Sequence, residues 1–149
     1  MSQSNHQFKA LLSFDEEDYF VLVFPKKDGL LLRDIEDGTE WEYSFEAVSL
    51  LPVRTMPDML WMTILFDYAS FNGAKFISLC GKVDNETQDG FLLLRRLYHR
   101  YLTDHPFDRR TQQLQRDKKH LSDALDLLAV WGILSRKEYE EKCAIVEDF

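Results

Sequence analysis

The first 83 residues carry the apolar pattern of strands, and residues 84–104 and 121–149 carry apolar side chains at helical spacing. A period of 2 puts alternate side chains on one face of a strand, and a period of about 3.6 lines one face of a helix. One segment cannot satisfy both, so the chain joins a β-rich part to a helical part. In the β-rich part Phe8, Ala10, Leu12 and Phe14 alternate with Lys9, Ser13 and Asp15. Tyr19 to Phe24 is apolar on both faces, as in a buried strand. Trp41, Tyr43 and Phe45 alternate with Glu40, Glu42 and Ser44, which predicts one face in a core and the other in water. Leu60, Met62, Ile64, Phe66 and Tyr68 fall on every second position and predict a further strand, with an amphipathic helix as the alternative.

Turn residues separate these runs. Lys26-Lys27-Asp28-Gly29 predicts a hairpin in which Asp-Gly supplies positive φ. Glu36-Asp37-Gly38-Thr39 predicts a second turn, and Asn72-Gly73 a third, leading into a strand over Lys75 to Val83. Pro52 lacks an amide donor and ends the run from Val48, and Thr55-Met56-Pro57-Asp58 reads as a connection. About seven strands result, at the spacing of an antiparallel sandwich or barrel.

Asp84 or Asn85 then caps a helix predicted to run to about Leu102. Phe91, Leu94, Tyr98 and Tyr101 form its apolar stripe, with Arg95, Arg96 and Arg100 on the remainder. Gly90 is an unfavourable residue for a helix interior. Residues 105–120 carry two apolar side chains besides Pro106 and read as a polar, basic linker or a solvated helix. Residues 121–149 are apolar again. Leu121, Leu125 and Leu128 share a helical face, and Gly132 offers a left-handed terminus. Ser135 and Glu138 form a capping box that starts a second helix carrying Tyr139, Cys143 and Val146. The fold class expected is α+β: an antiparallel barrel or sandwich of about seven strands over 7–104, closed by one helix, then the 105–120 segment and a two-helix hairpin over 121–149.

Composition limits the function. The 149 residues carry 18 Lys+Arg against 26 Asp+Glu, a formal net charge of −8. Residues 1–104 hold 10 basic and 17 acidic side chains, net −7, and residues 105–120 are net +3. This balance argues against a dedicated nucleic-acid binder. No apolar run approaches the roughly 20 residues of a membrane span. The start has neither the cationic nor the apolar region of a signal peptide, and Cys80 and Cys143 are too few and too far apart for a disulfide framework. A cytoplasmic protein with two reduced thiols is the expectation. No phosphate loop, nucleophile elbow, HExxH, CxxC or EF-hand motif occurs. His6, His99, His105 and His120 do not pair at metal-ligand spacing. The chain therefore reads as a non-enzyme with no metal and no cofactor.

Two resemblances attach to these residues. Leu121-x-x-Ala-Leu-x-Leu-Leu-x-x-Trp-Gly-Ile-Leu-Ser-x-x-Glu-Tyr-Glu-x-Lys142 resembles the short C-terminal domain family, SHOCT. Gly132, Ile133, Ser135, Glu138, Tyr139 and Lys142 match its pattern; Trp131, Cys143 and Ile145-Val146 depart from it. The resemblance covers about one fifth of the chain and implies an appended module for oligomerisation or protein contacts. The β-rich part, with Glu42-Tyr-Ser-Phe-Glu-Ala-Val48, is similar to bacterial pleckstrin-homology-like domains, which implies a fold and little about function.

The function expected is a protein-interaction module that self-associates or recruits a protein partner by burying Leu125, Leu128, Trp131 and Tyr139. The alternative is an acidic sequestering inhibitor, an immunity or anti-defence protein blocking a basic toxin or nuclease surface. Its docking loop would be Asp15-Glu16-Glu17-Asp18, where the bland reading is a solvated turn. The same four acids argue against a phosphoinositide ligand, because lipid-binding pleckstrin-homology domains are typically basic there. Arg95, Arg96, Arg100, Arg109, Arg110, Arg116, Lys118 and Lys119 read as a solvated face rather than a nucleic-acid strip, since no stacking aromatics interleave with the linker charges.

Overall fold

A computed structural model describes residues 7–67 and 69–148, with the side chains of Met56 and Arg110 outside that description. Tyr68 of the alternating run and His6 also lie outside it. The chain forms two compact units, one ending at His105 and one beginning at Pro106.

The first unit is an antiparallel sheet of β1 (Phe8–Phe14), β2 (Glu17–Lys26), β3 (Gly29–Asp34), β4 (Glu40–Ser44), β5 (Val48–Leu50), β6 (Arg54–Met56), β7 (Met59–Phe66) and β8 (Phe76–Lys82). Helix α1 (Asn85–Asp104) follows. The strand order is β4-β3-β2-β1-β8-β7-β5, with β6 paired to β7. Strands β4 and β5 stand at the two ends of the order, and the chain joins them directly. Inward aromatics draw these ends together: Tyr43 meets Phe66 at 4.8 Å, and Trp41 meets Phe71 at 4.6 Å. The Tyr43 hydroxyl donates to the Ser70 carbonyl across the same gap. The sheet is nearly closed, and one helix completes it.

Alternation sets what fills the core. Phe8, Ala10, Leu12, Val21, Val23, Leu30, Leu32, Met62, Ile64, Ile77 and Leu79 all face inward and are buried. On α1 the buried residues include Phe91, Leu94, Arg95, Tyr98 and Tyr101. Phe91 packs on Phe8 at 4.9 Å, and Phe45 lies against Tyr98 and Tyr101. Fully burying one such side chain contributes about 1.5–3 kcal/mol. The Asp84 carboxylate caps the helix by accepting from the Thr87 amide at 2.8 Å.

Several expectations need correction. Arg95 belongs to the buried stripe, and its guanidinium donates to the Leu50 carbonyl and lies 3.0 Å from His99 Nε2. The guanidinium has no acceptor atom, so that ring nitrogen must accept. Gly29 does not have positive φ. Its hydrogen side faces β4, where an added Cβ would sit 2.0 Å from the Tyr43 carbonyl oxygen. Positive φ occurs instead at Asp15 and Glu16, the two-residue loop between β1 and β2, and at Asn72 and Gly73. The Thr55-Met56-Pro57-Asp58 connection is partly strand: Arg54, Thr55 and Met56 pair with Trp61, Leu60 and Met59. Met59–Phe66 is a strand, as the alternation of Leu60, Met62, Ile64 and Phe66 predicts, and the helical alternative falls away.

The second unit holds α2 (Arg109–Val130) and α3 (Arg136–Glu147), which pack on one another. The polar stretch 109–120 is the first half of α2.

Candidate functional site

The second unit is built from helix-end chemistry. At the C-terminus of α2 the Gly132 amide donates to the Ala129 carbonyl and the Ile133 amide to the Leu128 carbonyl. With Gly132 at φ 75° this is a Schellman closure, which needs a residue free of Cβ strain. Two residues on, the Ser135 hydroxyl accepts from the Glu138 amide at 3.1 Å, and the Glu138 carboxylate accepts from the Ser135 amide at 3.0 Å. That backbone donor holds the Glu138 carboxyl below its ordinary value. Two cross-helix bonds fasten the pair: Tyr139 Oη donates to Asp126 Oδ1 at 2.5 Å, and Lys118 Nζ to the Glu147 carbonyl at 2.9 Å. The Asp126 bond raises the Tyr139 phenol well above its ordinary value, with Cys143 adding to it.

Two surfaces result. Between the helices runs a groove of about 810 Å³ that includes Leu125, Tyr139, Cys143 and Val146. At the bend, Leu127 and Val130 stand at the end of α2, Trp131 follows directly with its amide donating to the Leu127 carbonyl, and Ile133 comes two residues later. Val130 is 82% exposed, Trp131 74%, Ile133 64% and Leu127 59%. Helix α3 has no buried residue. The four hairpin residues singled out from the sequence are thus not one patch. Leu125 and Tyr139 line the groove, Leu128 is half-buried, and Trp131 stands at the exposed bend. Leu127, Val130 and Ile133 were missed as site residues. For Leu127 and Val130 the signal is their i, i+4 and i+1 spacing to Trp131 at the helix end; Ile133 lies beyond Gly132, where helical spacing no longer applies.

Asp15, Glu16, Glu17 and Asp18 are all exposed at the β1–β2 turn. Ser13 Oγ donates to Asp18 Oδ1 at 2.7 Å, and Tyr19 Oη to Glu17 Oε2 at 3.2 Å. The eight cations do not form one strip, because Arg95 is buried. Arg116 bonds Gln113, and Lys119 pairs with Asp123 at 3.4 Å. Cys80 and Cys143 are free thiols, and burial with nearby Asp18 raises the Cys80 thiol. Among the described residues no three His, Cys, Asp or Glu side chains gather as a metal set, and no helix is long and apolar enough to cross a membrane.

No family model and no curated protein matches the chain.

Proposed function

We propose that this protein is a non-enzymatic interaction module that self-associates or recruits a protein partner through its C-terminal hairpin. The observation that carries this reading is the exposure of four bulky apolar side chains, Leu127, Val130, Trp131 and Ile133, within seven residues at the bend, here called the ridge. Large contiguous apolar patches are uncommon on surfaces that stay in water, and Trp is enriched among interface residues whose loss costs most. The SHOCT-like pattern over 121–149 points the same way, as does the Schellman closure followed at once by a capping box. These fix the bend rigidly and present the ridge at little entropic cost. The strand order with its following helix supports a pleckstrin-homology-like reading of the first unit, which then acts as the carrier. A cytoplasmic setting fits the two free thiols.

Light scattering on the full chain, on Trp131→Ala and on Val130→Ala/Trp131→Ala tests self-association. Assembly of the parent that both variants lose supports the reading; assembly that both variants keep refutes the ridge. If the parent is a monomer, recruitment of another protein is the form that survives. The acidic-inhibitor alternative draws on the four exposed acids at the β1–β2 turn. It predicts a complex that salt dissolves and that Trp131→Ala leaves intact.

A further inference from the structure

The first unit carries a net charge of −7 over residues 1–104, yet one groove on it contains no acidic side chain. This groove, of about 940 Å³, runs between the β2–β3 hairpin and α1. Its floor is apolar. Phe24 and Leu31 are cross-strand neighbours on the outer face of the sheet, and Leu93 and Leu97 face them one helical turn apart. Its cations are Lys26, Lys27, Arg33 and Arg100, four of the 10 basic side chains in that part of the chain. Phe45 ties the cationic end together: its amide donates to the Asp28 carbonyl, and its ring meets Tyr101 at 5.8 Å. The hairpin tip bearing Lys27 and the end of α1 bearing Arg100 therefore share one corner.

These cations differ in how they are held. Arg33 lies over the Phe24 ring at 4.7 Å and pairs with Glu40 at 2.7 Å, and Lys26 pairs with Glu42 at 3.0 Å. Both pairs are exposed and contribute little. Lys27 and Arg100 have no acidic partner among the described residues. Asp28 and Asp104 are the nearest acids in sequence, and neither lines the groove.

We propose that this groove binds an acidic peptide segment of a protein partner, with apolar side chains on the floor and carboxylates at Lys27 and Arg100. Leu93, Leu97 and Arg100 stand at i, i+4 and i+7, so the floor and its cationic end span about 10 Å at 1.5 Å per residue. That length takes two or three apolar residues of a peptide. A flat anionic bilayer fits worse, since the floor is recessed and the unit's net charge repels it. Nucleic acid lacks aliphatic groups for the leucines, and the one aromatic face is already covered by Arg33. The proposal concerns a surface separate from the hairpin ridge and stands without it.

The test is selection from a phage-displayed random peptide library on the full chain at low salt. Enriched sequences should combine two or more acids with Leu, Ile or Phe. A synthetic enriched peptide should lose at least about tenfold in affinity with Lys27→Glu/Arg100→Glu and with added salt. Leu97→Ser should weaken it as well, and Trp131→Ala should leave it unchanged, which separates this site from the ridge. The proposal is overturned if nothing enriches, if enriched peptides lack acids, or if they bind the charge-reversed variant equally. It is also overturned if phosphatidylserine vesicles or oleate bind with the same Lys27 and Arg100 dependence while peptides do not.

Discussion

Gly90→Ala should destabilise the first unit, although helix propensity alone predicts the opposite sign. Alanine in a helix interior is favoured over glycine by about 1 kcal/mol. The position, however, faces Phe8. An added Cβ would stand 2.2 Å from Phe8 Cδ1 and 2.6 Å from Cγ. Carbon atoms in good contact are about 3.5–4.0 Å apart, so the ring or the helix must retreat by more than about 1 Å. Phe8 is 1% exposed, its ring rests on Phe91 at 4.9 Å, and its backbone pairs with Val23, so it has little room to move. Overpacking of this kind costs about 1–3 kcal/mol, and an aromatic ring held on both sides falls at the upper end. Subtracting the propensity gain leaves a net loss of about 2 kcal/mol. Urea unfolding followed by tryptophan fluorescence reads it, in a Trp131→Phe background so that only Trp41 and Trp61 report. Repeating the change with Phe8→Leu should shrink its cost, because the shorter side chain vacates the contact. A Gly90→Ala chain as stable as its parent would refute the close approach of α1 to β1.

Arg95→Met keeps much of the buried volume but removes the donor to the Leu50 carbonyl, so unfolding free energy should fall by about 1–3 kcal/mol; an unchanged denaturation midpoint would contradict it. Ser135→Ala removes one half of the capping box and should cost about 1 kcal/mol, read as faster amide exchange in the first turn of α3 with α1 unaffected. Two phenols predict alkaline sensitivity. Burial pushes Tyr43 up to about 12, and the bond to Asp126 raises Tyr139. A phenol with a folded value above the unfolded value near 10 contributes stability that is full below about pH 10. That contribution is lost as pH rises toward the folded value, so unfolding free energy should decline above pH 10. Tyr43→Phe should reduce the first unit's share of the decline, to which Tyr19 also contributes because partial burial and Glu17 raise its phenol, and an identical slope in that variant would sink the assignment.

Much of the fold was legible because period and turn chemistry agreed. Trp41, Tyr43 and Phe45 alternate with polar residues, and the structure buries Tyr43 and Phe45 and half-buries Trp41, with Glu40, Glu42 and Ser44 exposed. Asn72-Gly73 and Gly38 have the positive φ their turns call for. Where the reading failed, a contact distant in sequence had decided the residue. Gly29 follows Asp28 as a hairpin turn would have it, but its small size serves the Tyr43 carbonyl 14 positions on. Gly90 is a poor helix residue that exists for a phenylalanine 82 positions earlier. Arg95 falls on the apolar stripe, and its bonds to the Leu50 carbonyl and to His99 explain a cation there.

The candidate site divides along the same line. The helix ends were legible, since a Schellman glycine and a capping box are local chemistry: Gly132, Ser135 and Glu138 need only residues within four positions. The choice of exposed face was not. In α2 both Leu121-Leu125-Leu128 and Leu127-Val130-Trp131 have helical spacing, and no local rule says which of two apolar faces meets α3. That choice is made by α3, whose Tyr139 reaches Asp126 and so turns Leu125 toward the groove. Leu127, Val130 and Trp131 then have no neighbour within the hairpin to cover them. A helix pair this short can bury one face of α2 and not two, so the face that α3 leaves exposed is the one on which the proposed interaction rests.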